Sequence, residues 1–77
     1  MIKNKVKKIK VEIVKYPNID RWIQDGTIEI GFEYGRGIVA RAIDEGGTTW
    51  EGDNLKNFET AMKALEKGIK KWCDENY

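Results

Sequence analysis

Thirteen carboxylates, fourteen cations, one thiol and no histidine are the side chains with which this sequence could do chemistry. Without imidazole the commonest general base, the usual nitrogen metal ligand and every triad built on them are missing. Cys73 has no histidine to activate it and makes a poor nucleophile. It reads as a small half-buried hydrophobe rather than a reactive thiol. Glu29 and Glu33 share a strand face, but four residues along a strand span about 13 Å, too far to work on one substrate atom. A magnesium site can be drawn from Asp44, Glu51 and Asp53, although solvated turn acids explain the same residues. Gly31, Gly35, Gly37, Gly46 and Gly47 sit at hairpins rather than at a strand-to-helix turn, so no phosphate cradle is expected. The expectation is a protein that is not an enzyme, with no cofactor, no metal and no small-molecule substrate.

Binding is the remaining chemistry. The net charge of +1 hides an uneven distribution: residues 1–15 carry net +5, residues 16–53 net −5 and residues 54–77 net +1. A basic arm can meet nucleic acid or an anionic surface, and it can equally be the wet face of a strand or lie beside the acidic middle. Lys8, Lys10, Trp22, Arg36, Arg41 and Trp50 form the candidate interaction surface. Aromatic and basic groups on an open sheet face bind single-stranded nucleic acid by stacking and phosphate contacts. Here the face also carries Glu29 and Glu33 and lacks an RNP-type aromatic motif, and Trp22 and Trp50 could instead complete the core. A protein partner or self-association through a sheet edge is therefore the leading expectation, with nucleic acid as the alternative.

The elements that must position these residues follow from periodicity. In 54–77, Leu55, Phe58, Met62, Leu65, Ile69 and Trp72 recur at intervals of 3 and 4, one apolar stripe of a long amphipathic helix. Asp53, Asn54 or Asn57 could cap it, and Glu59 in a first turn after Asn57 favours a start at Phe58. Glu59–Lys63 and Glu66–Lys70 are expected ion pairs, Gly68 marks a close contact or nothing, and 74–77 should fray. Residues 6–16 alternate Ile9, Val11 and Ile13 with charged neighbours and read as a first strand. Pro17-Asn18 ends it, and 19–26 is one or two helical turns or an extended connection. Ile28, Ile30, Phe32 and Tyr34 share one face of a strand over 27–34. A three-residue turn at the following glycines sets Ile38, Ala40 and Ala42 beside Phe32 and Arg41 on the open face, and a two-residue turn reverses the faces. The small alanines favour the first. After a turn at 45–47, Thr48 to Glu51 is a short fourth strand, broken by Gly52-Asp53-Asn54.

The predicted fold is α+β: one domain over 1–77, a four-stranded antiparallel meander with the C-terminal helix on one face. A chain of 77 residues buries only about 60–65 % of its unfolded surface. One cysteine allows no internal disulfide, so the usual staples of a small fold are missing and a second copy or partner is attractive. No apolar run approaches the roughly 18–20 residues of a membrane span, and the start has no apolar signal core, so no membrane association and a cytoplasmic location are expected.

Residues 37–75 also have a recognisable layout. A strand leads through Asp44-Glu45-Gly46-Gly47 into a short strand, then through Gly52-Asp53 into Phe58-Glu59-Thr60-Ala61-Met62 with Leu65, Ile69 and Trp72. This resembles the HicB-like antitoxin domain, and a similar layout occurs in small bacterial proteins. The resemblance implies a partial ribonuclease-H-like fold, no catalysis, and a role in blocking a small ribonuclease toxin by direct contact.

Overall fold

The computed structural model describes residues 15–77. In chain order they form α1 (Pro17–Trp22), β1 (Thr27–Glu33), β2 (Gly37–Asp44), β3 (Gly47–Leu55) and α2 (Phe58–Asn76), an α+β arrangement. The strands make one antiparallel sheet in the order β1-β2-β3, and α2 lies on one face of it, over β3 and β2. Three strands are described where four were expected. Residues 6–14 of the strand read over 6–16 fall outside the described residues; Lys15 is in a bend and Tyr16 is the N-cap of α1.

Helix α1 resolves the ambiguity of 19–26 and starts earlier, with Pro17 at a first-turn position where a missing N–H costs nothing. No side chain of its own caps it. Instead the Glu66 carboxylate of α2 accepts from the backbone N–H of Asn18 (2.9 Å) and Ile19 (3.0 Å) and from Asn18 Nδ2 (2.6 Å). Tyr16 Oη donates to Glu59 in the first turn of α2 (2.6 Å), while Trp22 packs edge-on against Trp72 near its end, centroids 5.7 Å apart. The side-chain contacts of residues 16–22 thus reach α2 at Glu59 and at Trp72, points about 20 Å apart along that helix. Trp22 Nε1 then donates to the carbonyls of Thr27 and Ile43 (3.2 Å each), fixing the start of β1 at the far end. The stretch before β1 therefore lies along the helical layer, with α1 packed on α2.

The β1–β2 hairpin has the three-residue turn. Glu33 pairs with Gly37, and Ile28, Ile30 and Phe32 stand opposite Ala42, Ala40 and Ile38. Ala40 and Ala42 are buried with Ala61, Leu65 and Ile69, so the short side chains of β2 do bring α2 close to the sheet.

Strand β3 differs from the expected short strand. It runs nine residues, straight through Gly52-Asp53-Asn54. Two register shifts explain this: Trp50 opposes Ala42 but Thr48 opposes Ile43, and Gly52 opposes Ala40 but Leu55 opposes Ile38. Each leaves one extra residue on β3, a β-bulge. Asn54 sits in the second at φ 52°, a left-handed conformation that Asn tolerates, and its N–H donates to the Arg36 carbonyl (2.8 Å). Trp50 and Leu55 are five residues apart, and strict alternation would put them on opposite faces. The extra residue turns both toward the helix.

Helix α2 starts at Phe58, with the Asn57 side chain accepting from Thr60 N–H (2.8 Å). Its buried face is Ala61, Leu65, Gly68 and Ile69, whereas Phe58 is exposed. The buried stripe therefore begins at Ala61 rather than at Phe58. A Cβ on Gly68 would stand 2.5 Å from the Trp50 indole, so the glycine admits that ring. The expected ion pairs are replaced: Glu59 and Glu66 turn to the α1 side, and Lys70–Asp74 (2.9 Å) and Lys71–Glu75 (3.0 Å) form instead. These pairs, with Asn76 Nδ2 donating to the Trp72 carbonyl (2.8 Å), hold the end that was expected to fray.

Candidate interaction surface

The face of the sheet away from α2 is a network of charges. Arg41, on β2, donates Nε to Glu51 (2.5 Å), Nη1 to Glu29 (3.2 Å) and Nη2 to Glu33 (2.6 Å). Arg36, in the β1–β2 turn, reaches Glu33 (3.3 Å), Glu51 (3.3 Å) and Asp53 (3.1 Å). Two guanidiniums thus share four carboxylates drawn from β1 and β3, a net charge of −2. Glu33 first, then Glu51, hold Arg41 more firmly protonated than an ordinary arginine, and Glu51 and Asp53 do the same for Arg36. In return Arg36 and then Arg41 keep Glu51 below the usual carboxylate value. Val39, 2 % exposed, is two residues from Arg41 on the same face of β2.

The six candidates are therefore not one surface. Arg41 is on the open face as expected, and Arg36 reaches the same acids from the turn, so the donors of both are occupied. Trp22 and Trp50 are on the helix side, half-buried against the core. Lys8 and Lys10 lie outside the described residues. Asp44, Glu51 and Asp53 are not a metal set either: Glu51 and Asp53 bind the arginines, and Asp44 accepts from Gly46 N–H (2.8 Å). No cluster with metal-ligating composition occurs among the described residues.

Two further features were not read from the sequence. An open cleft of about 500 Å³ lies between α1 and the C-terminal half of α2, lined by Asn18, Trp22, Ile69 and Cys73. Arg21 at its rim donates to Asn18 Oδ1 (3.1 Å). The other feature is the outer edge of β1. Among the described residues this strand has a backbone neighbour on one side only. It has no bulge in its pairing with β2, and its sequence, TIEIGFE, contains no proline and no lysine. Beside the edge, Phe32 is 72 % exposed and Tyr34 97 % exposed. Alternation assigned Phe32 to the core face correctly, but it lies where α2 no longer covers the sheet. The available signal was its place one residue from the strand end.

Compared with known families, curated proteins and solved structures, the chain shows no match. Among the described residues, no helix is long and apolar enough to cross a membrane.

Proposed function

We propose that this chain is a non-enzymatic interaction domain that binds an extended segment of protein along β1. The observation that carries the reading is a regular, unbulged edge flanked by the exposed Phe32. Such an edge offers a row of backbone donors and acceptors that another strand completes, with side-chain contacts supplying selectivity. The HicB-like resemblance would make one such partner a small ribonuclease. The nucleic-acid alternative loses ground because the two arginines of the open face are matched by four acids, which leaves the described face anionic and poorly suited to phosphates.

The test uses the full chain immobilised in native lysate, with and without nuclease, against its Phe32→Lys variant. Lysine at an edge discourages strand addition, and Phe32 is exposed enough for the fold to accept it. A protein retained by the wild type after nuclease and lost with the variant is the expected result. Retention indifferent to Phe32 overturns the reading, and nucleic acid released by nuclease restores the alternative.

A further inference from the structure

We propose that the segment completing β1 is the β1 strand of a second copy of this chain, paired antiparallel about a two-fold axis at Ile30. The inference rests on the edge-binding reading above and names its occupant. A two-fold dimer buries the same patch on both subunits, so the strand must be complementary to itself. About Ile30, all seven residues of Thr27–Glu33 pair. Ile30 meets Ile30 of the partner subunit, Ile28 meets the partner's Phe32, Glu29 meets the partner's Gly31, and Thr27 meets the partner's Glu33. Every apolar side chain then faces an apolar one on the helix side, and no carboxylate faces another.

Neighbouring registers fail by the same rule. An axis at Glu29 sets that residue against itself, and an axis at Gly31 sets Glu29 against Glu33, like-charge pairs that destabilise a ladder. Axes at Ile28 or Phe32 leave three residue pairs within the strand. Side chains directly opposite in an antiparallel pair point to the same side, so the Ile30 register keeps both helical layers on one face of a sheet that joins the three described strands of each copy. It also places an apolar neighbour beside each exposed Phe32.

Sedimentation equilibrium of the full chain is the first measurement, paired with intermolecular NOEs in a mixture of isotope-labelled and unlabelled wild-type protein. A dimer with contacts between Ile28 methyls and the Phe32 ring across subunits is expected. Phe32→Lys, which enters the interface twice, should raise the dimer dissociation constant at least a hundredfold. A chain that stays monomeric at millimolar concentration overturns the inference, as does a dimer without those contacts. In either case, Phe32-dependent capture of another protein leaves the edge-binding reading standing, and loss of both effects removes the two together.

Discussion

The two edges of the sheet are built from the same chain and treated in opposite ways. Strand β3 carries both bulges, two glycines and a left-handed Asn54, and α2 is packed above it. Strand β1 has an unbroken register with β2, and its end at Phe32 is left uncovered by α2. Bulges twist an edge and leave unpaired residues that a new strand cannot match. The bulges of β3 serve the interior, since one of them turns Leu55 inward with Trp50, and edge protection follows as a by-product. β1 needs no such correction because its apolar residues already alternate. Among the described residues it is the better-patterned strand whose outer edge has no backbone neighbour.

Two matched glycine changes sharpen the contrast most. Gly68→Ala drives a methyl into the Trp50 indole that β3 presents, where nothing flexible can yield. Overpacking of this kind costs about 1–3 kcal/mol and outweighs the helix propensity gained, about 1 kcal/mol. Gly31→Ala on β1 meets open space and should be neutral or stabilise by up to about 1 kcal/mol. Urea unfolding of both variants gives the difference, and equal effects would break the comparison.

Deleting Asn54 removes a bulge while Leu55 stays opposite Ile38. The lost bond to the Arg36 carbonyl costs about 1 kcal/mol, and β3 becomes a regular edge. Species larger than a dimer in size-exclusion chromatography with light scattering are expected, and an unchanged profile would show that the bulge does not protect the edge.

Acid tests the charged face that ties both edges together. Glu51 is held below its ordinary value of 4.5 by Arg36 and Arg41, and Glu59 by the Tyr16 hydroxyl. A carboxyl whose value is lowered by folding contributes stability above its unfolded value. That stability is lost as pH falls through the lowered one. A thermal melting series should therefore be flat above about pH 5 and decline below the ordinary carboxylate value. In Glu51→Gln the decline should be shallower. The smallest change in stability is expected for Phe32→Lys compared with the wild type at a protein concentration below the dimer dissociation constant, within about 0.5 kcal/mol because the site is exposed in the single chain.

Patterns of two and of three to four residues carried most of the fold. Ile28, Ile30 and Phe32 gave the strand and its face, Ala40 and Ala42 the choice of turn, and Asn57 the start of α2. What stayed hidden depends on contacts across the chain. Gly52-Asp53-Asn54 has the composition of a turn, and a bulge uses the same left-handed Asn. Arg36 and Arg41 looked like free cations because their four acids come from strands that only the fold brings beside them. The cap of α1 is Glu66, 47 residues beyond Ile19, and nothing near Pro17 announces it.

That borrowed cap has a consequence for the order of folding. The hairpins and α2 form from contacts close in sequence, whereas six residues are too few to hold a helix alone. Helix α1 acquires both its first-turn acceptor and its packing surface only once α2 is in place. Among the described elements it orders last and opens first, and the amide hydrogens of Asn18 and Ile19 exchange with solvent on the clock of that docking rather than of global unfolding.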